Sequence, residues 1–289
     1  MRSTILNFGS CNIDHVYSVN EFVTPGETLS SQTYRTFPGG KGFNQSVAIV
    51  QAGGSCAHVG RIGKDGEWLK AQLKSFGVDT DFLFVSDEPT GHAIIQVTPD
   101  GENAILTHGG ANHTLTQLEI DAGLESAKEN DLALIQNEIN NVSYVIEHAK
   151  DRGLQVAFNA APINKGVEGY PLEDVDFLFL NEIEGEQLSG ATDLSGMLRI
   201  LSERFPKTRL IITLGKEGSL YHFRGETLRQ RAVEVERVID TTGAGDAFVG
   251  TFLAKFLTNR IPREAFLGAA YASAECISRK GATILSEVI

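Results

Sequence analysis

Short apolar runs at Thr4–Phe8, Leu132–Gln136, 155–158, 177–180 and 210–213 are bounded by polar or glycine residues and spaced along the chain. Apolar runs of four or five residues suit strands buried on both faces, as in a parallel sheet. Between and beyond them, 44–52, 66–76, 142–152, 194–205 and 246–257 are amphipathic at helical spacing. This βαβα rhythm predicts an α/β fold with a doubly wound, mostly parallel sheet, and the handedness of crossover connections puts helices on both of its faces.

Two regions depart from the rhythm. Segments 16–22 with 28–36, and 92–98 with 103–108, read as hairpins, the second turning at Pro99-Asp100-Gly101. They predict a small antiparallel sheet standing off the main one. Its edges and apolar face need a cover, whether a ligand, the main domain or a second subunit. With no internal repeat, low-complexity tract or linker in 289 residues, one domain spanning 1–289 is expected.

Charge narrows the partners. The chain carries 25 Lys plus Arg against 37 Asp plus Glu, a formal charge of −12, which argues against nucleic acid or an anionic membrane surface as the main partner. A small anion is still open to it, because backbone N–H groups bind phosphate whatever the global charge. Cys11, Cys56 and Cys276 are odd in number, far apart and in no metal-ligand spacing, which points to a reducing cytosol rather than a disulfide scaffold or zinc site. Residues 1–14 read as neither signal peptide nor membrane span, and no apolar run reaches about 18 residues.

The strongest local motif is Asp240-Thr241-Thr242-Gly243-Ala244-Gly245-Asp246, directly before an apolar helical run. Glycine and alanine leave the backbone bare at a helix start, where unpaired N–H groups and the positive dipole end form an anion site. Asp246 reads either as a helix N-cap or as the base that takes a hydroxyl proton during phosphoryl transfer. The absence of G-x-x-x-x-G-K-[ST], and of a G-x-G-x-x-G joining strand to helix, removes P-loop NTPases and Rossmann dehydrogenases.

Gly39-Gly40-Lys41-Gly42-Phe43-Asn44-Gln45 opens another helix, as a tight loop or a ligand loop. Asn12-Ile13-Asp14 follows the first strand, as a turn or as polar groups for a polyol at a strand's carboxyl end. Glu138 and Asn181-Glu182-Ile183-Glu184 also lie just past strands, as helix caps or as ligands of Mg²⁺ or a polyol. The seven histidines form no i, i+4 metal pair.

Taken in order, Asn12-x-Asp14, Pro25-Gly26-Glu27-Thr28, Gly39-Gly40-Lys41-Gly42-x-Asn44-Gln45, Gly109-Gly110-Ala111-Asn112, Asn181-Glu182-x-Glu184, Thr213-Leu214-Gly215 and 240–246 form a specific set. The chain resembles the ribokinase (PfkB) family of sugar and nucleoside kinases from about Ile5 to Gly281, most closely its ribokinase branch. The resemblance implies a ribokinase-like fold in which the hairpins, about 13–37 and 91–108, form a lid that pairs two subunits into a homodimer. It implies an ATP-dependent kinase, with Asp246 as catalytic base and Gly243, Ala244, Gly245 and Asp246 as anion hole.

By the same resemblance, sugar contacts fall on Asn12, Asp14, Gly40, Lys41, Gly42, Asn44, Glu138 and Asp246. Nucleotide contacts fall on Asn181, Thr213, Gly215, Lys216, Gly218 and Gly245. Glu184 matches the acid that organises Mg²⁺ through water. The monovalent-cation loop, which binds K⁺ in ribokinases, matches Asp240 and Thr242 with carbonyls of Cys276, Arg279 and Gly281.

There are two departures from the family pattern. Phe43 replaces the usual small residue beside the sugar loop, where it would reshape the pocket or wall a nucleobase, and Leu285-Ser286 falls out of step with the last K⁺ ligand. The implied reaction is phosphorylation of a sugar's primary hydroxyl, with D-ribose to D-ribose 5-phosphate the best match. The alternatives are a nucleoside kinase of the adenosine or pseudouridine type, a kinase for another furanose or hexose, and a catalytically silent sugar-binding protein.

Overall fold

The computed structural model describes residues 3–163, 166–279 and 281. The elements run β1 (Thr4–Phe8), β2 (Asn12–Ser18), β3 (Thr33–Gly39), α1 (Lys41–Gln51), β4 (Ser55–Gly63), α2 (Glu67–Phe76), β5 (Leu83–Ser86), β6 (Gly91–Val97) and β7 (Asn103–His108). Then come α3 (Gln117–Glu125), β8 (Leu132–Gln136), α4 (Val142–Asp151), β9 (Gln155–Asn159), β10 (Phe177–Asn181), α5 (Glu182–Ser189) and α6 (Leu194–Arg204). The chain continues through β11 (Arg209–Thr213), β12 (Ser219–Phe223), β13 (Glu226–Gln230), α7 (Ala244–Asn259) and α8 (Pro262–Ile277).

Among the described residues nine strands form the main sheet, in the order β13-β12-β11-β10-β9-β8-β1-β4-β5. Every pair from β11 to β5 is parallel, and only the β11–β12 and β12–β13 pairs at one edge are antiparallel. Alternate residues of β1 enter two cores. Leu6 and Phe8 pack with Ile120 and Leu124 of α3, Val145 and Ile146 of α4, and Met197 and Leu201 of α6. Ile5 packs on the opposite face with Val47 of α1, Leu69 and Leu73 of α2, Phe252 of α7 and Phe266 of α8. Helices therefore cover both faces, as the βαβα rhythm predicts.

The second core anchors the helix that carries the candidate base. Phe248, Phe252 and Phe256 recur every fourth residue along α7, so they share one face. Phe252 meets Phe179 at 5.7 Å and Phe266 at 5.4 Å, both edge-on, and Phe256 meets Phe177 at 5.2 Å. Such pairs add about 0.5–1.5 kcal/mol each beyond the area they bury. They pack the middle and the last turns of α7 against β10 and α8.

The hairpins build a separate four-stranded sheet, ordered β3-β2-β6-β7. Each hairpin is antiparallel within itself, and the two are joined through a parallel β2–β6 pair. The first hairpin is displaced from the expected 16–22 and 28–36, because Asn12 pairs with both Gly39 and Gly91. Asn12-Ile13-Asp14 is consequently the start of β2 rather than a turn. Unpredicted elements include β4, whose His58, Gly60 and Arg61 interrupt the apolar pattern, and the antiparallel β12–β13 edge. Among the described residues no helix is long and apolar enough to cross a membrane.

Candidate active site

Successive strands after β1 add on one side of it as β4 and β5, and on the other as β8 to β11. The crevice past the carboxyl ends of β1 and β8 is therefore a topological switch point, the usual ligand position in an open α/β sheet. Residues 9–12 leave β1 there, Glu138 leaves β8, and α1 begins there with Lys41.

The start of α1 sits hard against the turn after β1. Phe43 N–H donates to Ser10 O at 2.8 Å, and the Asn7 side-chain amide donates to Gly42 O at 2.8 Å. A Cβ on Gly42 would lie 2.4 Å from Ser10 N and 2.5 Å from the Gly9 carbonyl carbon, so only glycine lets these backbones approach. Gly42→Ala is expected to destabilise the protein by about 2–3 kcal/mol, because backbone rather than a flexible side chain must move. Gly169→Ala, where nothing lies within 4 Å, serves as the neutral control. Equal denaturation midpoints for the two variants would refute this.

Phe43 behaves differently from its expected place at the pocket. It is 0 % exposed and lies in the core with Ile5, Cys11, Ile13 and Val47, one helical turn from Val47 on the inner face of α1. It neither reshapes the pocket nor offers a wall to a base.

The acids and amides of the expected sugar loop do converge. Glu138 Oε2 accepts from Ser10 Oγ at 2.5 Å and from Lys41 N–H at 3.0 Å. Asn12 Oδ1 accepts from Asn112 Nδ2 at 2.7 Å, and Asn112 Oδ1 accepts from Cys11 N–H at 3.0 Å, so Asn112 sets which way the Asn12 amide faces. Burial, aided by the charge of Glu138, pushes the Asp14 carboxyl up to about 7. The negative charge of Asp246 raises the Lys41 ammonium above its ordinary value against the effect of burial, with Glu138 and Glu184 adding to it. Asn112 and Ser10 had no assigned role in the sequence, although Asn112 stood inside the quoted Gly109–Asn112 motif.

Gly243, with φ at 78°, caps α7, and Asp246 is its third residue. The capping alternative for Asp246 therefore falls, since no side-chain cap bond exists there. Its carboxylate is 5 % exposed and accepts from Asn44 Nδ2 at 3.1 Å and Gln45 Nε2 at 2.8 Å. Ala244 N–H turns back to Thr241 O at 3.3 Å, while those of Gly245 and Asp246 have no partner among the described residues. A carboxylate beside unpaired N–H groups at a helix start can take a proton while the N–H groups receive an anion.

Asn181 and Thr213 are register partners at the ends of β10 and β11. Gly215, Lys216 and Gly218 follow in the turn to β12. Of the alternatives for Glu184, capping is realised. Asn181 Oδ1 accepts from Glu184 N–H at 2.8 Å, and Glu184 Oε2 accepts from Asn181 N–H at 2.8 Å, a reciprocal capping box. Burial raises the Glu184 carboxyl, partly offset by its bond from Asn181 N–H and by Lys41.

The expected cation-loop residues also meet. Asp240 Oδ1 accepts from Thr242 N–H at 2.9 Å, and its Oδ2 accepts from Gly281 N–H at 3.1 Å. Cys276 Sγ donates to Thr242 O at 3.4 Å, and the Arg279 guanidinium turns away to Glu275 at 2.9 Å. Leu285 and Ser286 lie outside the described residues.

Residues 2–288 match the pfkB family carbohydrate kinase family. The chain belongs to that family. It is 35% identical over 291 residues to a ribokinase of Haemophilus influenzae, covering 98% of this chain and 94% of the relative. Its fold superposes on Arabidopsis thaliana ribokinase, solved with ribose and ATP, with a TM-score of 0.86 at 28% identity, covering 97% of this chain and 94% of that one. The nucleoside kinase of Methanocaldococcus jannaschii, at 20% identity, a TM-score of 0.80 and coverage of 98% and 94%, shares the fold. As a PfkB carbohydrate kinase the protein is a phosphotransferase, and the switch-point crevice is the place its fold offers for that chemistry.

Proposed function

We propose that this kinase transfers the γ-phosphoryl group of ATP to the primary hydroxyl of a small sugar, D-ribose being the substrate the site fits best. The observation that carries this is the buried Asp246 carboxylate beside the N–H groups of Gly245 and Asp246, which are unpartnered among the described residues, with Lys41 and Asn44 within its reach. Asp246 takes the hydroxyl proton, and the N–H groups receive the charge that develops on the transferring group. Asn12, Asp14, Asn44 and Glu138 orient the sugar hydroxyls, with Gly40, Lys41 and Gly42 as the loop around them. Asn181, Thr213, Gly215, Lys216 and Gly218 form the nucleotide side, reached past the start of α7.

Two cations fit the donors present. Each Glu184 oxygen accepts one bond from Asn181, at 2.8 and 3.0 Å, which leaves lone pairs for the water shell of a Mg²⁺ ion. Bound with ATP, Mg²⁺ would neutralise phosphate charge. Asp240 and Thr242, with the carbonyls of Cys276, Arg279 and Gly281, give the oxygen-rich set that suits K⁺ as an activator. A reducing cytoplasm suits the free, buried thiols of Cys11 and Cys56.

A panel of ribose, 2-deoxyribose, fructose, adenosine and pseudouridine with ATP, scored by ADP release and product mass, tests the substrate. Ribose 5-phosphate is the expected product. Preference for a nucleoside would overturn the reading, and Phe43, sealed in the core, supplies no base-stacking wall that favours one.

We read the chain as one domain with the four-stranded sheet as its lid. Tyr34, Ile94 and Leu106 are exposed on that sheet, Ile94 and Leu106 as register partners, and they share one face with Tyr17. A second copy would cover them. Sedimentation at micromolar concentration is expected to show dimers that Leu106→Lys dissociates. A wild-type monomer would leave the lid face without its assigned cover.

A further inference from the structure

Three buried amides lie behind Asp246. Gln45, Gln136 and Asn7 are each 0 % exposed, on α1, at the end of β8 and inside β1. Buried amides at such places are unfavourable unless they are bonded. Gln136 Nε2 donates to Gln45 Oε1 at 2.8 Å and to Asn7 Oδ1 at 2.7 Å, and Gln45 Nε2 donates to Asp246 Oδ1 at 2.8 Å. Asn7 Nδ2 continues the chain to Gly42 O and to Ser46 Oγ, each at 2.8 Å.

The direction of the chain is set from its catalytic end. An ionised carboxylate only accepts, so Gln45 must turn its nitrogen to Asp246 and its oxygen to Gln136. Gln136 must then present its nitrogen to both neighbours. In that pose Gln136 Oε1 is buried with no partner among the described residues. Turning the amide over would set that oxygen against Gln45 Oε1 and Asn7 Oδ1, so the unpaired oxygen is the lesser penalty. An orphaned buried acceptor is unusual where stability alone is served. It follows if the amide serves to hold Asp246.

We propose that Gln45 and Gln136 are positioning residues for phosphoryl transfer: the chain Asn7, Gln136, Gln45 fixes the Asp246 carboxylate in the pose that receives the sugar proton. Neither glutamine is assigned to the substrate. Because Asn7 also holds Gly42 O, the same chain ties the sugar loop to the base. The neutral amides fix the direction of the carboxylate, while the charge beside it comes from Lys41. The inference rests on the kinase reading with Asp246 as base.

The test compares Gln136→Met, Gln136→Glu, Asp246→Asn and the double variant Gln136→Met/Asp246→Asn, with ribose and ATP. Gln136→Met keeps the length and removes the donor. It is expected to lower kcat at least tenfold while the KM for ribose stays within about threefold, the pattern of an interaction felt in the transition state. Gln136→Glu offers oxygen where a donor is required, reverses Gln45, and is expected to lose more. In the Asp246→Asn background, Gln136→Met should have no further effect on residual turnover, since the residue acts through the base.

A wild-type kcat in Gln136→Met, with Asp246→Asn inactive, overturns the positioning role and leaves the kinase reading standing. Parallel losses in kcat and ribose affinity, additive with Asp246→Asn, overturn it in favour of a structural role. Native turnover by Asp246→Asn overturns the base assignment and this inference with it. If Gln136→Met does not fold, as judged by circular dichroism, Gln45→Met is measured in its place with the same criteria.

Discussion

Asp246→Asn is expected to lower kcat by about 10³-fold while leaving ribose affinity within about tenfold, the range for loss of a positioned general base. The substitution keeps the shape of the side chain and removes its ability to take a proton. The surroundings resist it for a specific reason: both Asn44 Nδ2 and Gln45 Nε2 donate to this carboxylate, at 3.1 and 2.8 Å. Asparagine has one oxygen, so one of those donors must face an NH₂ group. A small stability loss, about 1 kcal/mol, should accompany the loss of activity. Ribose affinity by calorimetry and single-turnover phosphoryl transfer separate the two effects. A variant with native turnover would show that another group takes the proton.

How much of this was readable beforehand depended on the range of the interaction. Runs such as Leu132–Gln136 are legible because strands buried on both faces need continuous apolar residues. β4 is not, since His58 and Gly60 serve contacts from elsewhere in the fold, His58 to Ser46 at 2.9 Å and Gly60 through its close approach to Gly9. Local motifs carried the site. The bare Gly243-Ala244-Gly245 start of α7 leaves the N–H groups of Gly245 and Asp246 unpartnered among the described residues, and Asn181-x-x-Glu184 is a capping pattern that the structure realises.

What the residues alone could not show is which of two local readings wins. Asp246 ceases to be a cap because Asn44 and Gln45, some 200 residues earlier in the chain, claim its carboxylate. Phe43 turns inward because the helical phase of α1 is set by its packing on β1 and β4. Both outcomes are decided by tertiary neighbours that no window of sequence contains.

Asp14→Asn should stabilise the folded protein above neutral pH while weakening its hold on the sugar. Burial first, and the charge of Glu138 second, push the Asp14 carboxyl from 3.8 up to about 7. The folded chain therefore binds this proton more tightly than the unfolded chain does. Stability attributable to the group is greatest below about pH 4, falls as pH rises through the interval to about 7, and is fully lost above it. The side chain keeps some contact with solvent, so a penalty of about 4 kcal/mol from the shift alone is better taken as about 2. Asparagine carries no charge and escapes it. The variant should unfold several degrees higher than the wild type at pH 8, with the difference vanishing near pH 4. In the sugar-orienting role proposed for Asp14, the same change should weaken ribose binding by roughly 10- to 100-fold. Thermal melts at the two pH values and calorimetric titration of ribose check both halves. A variant no more stable than the wild type at pH 8 would mean that Asp14 is ionised there without strain, and that solvent screens it from Glu138.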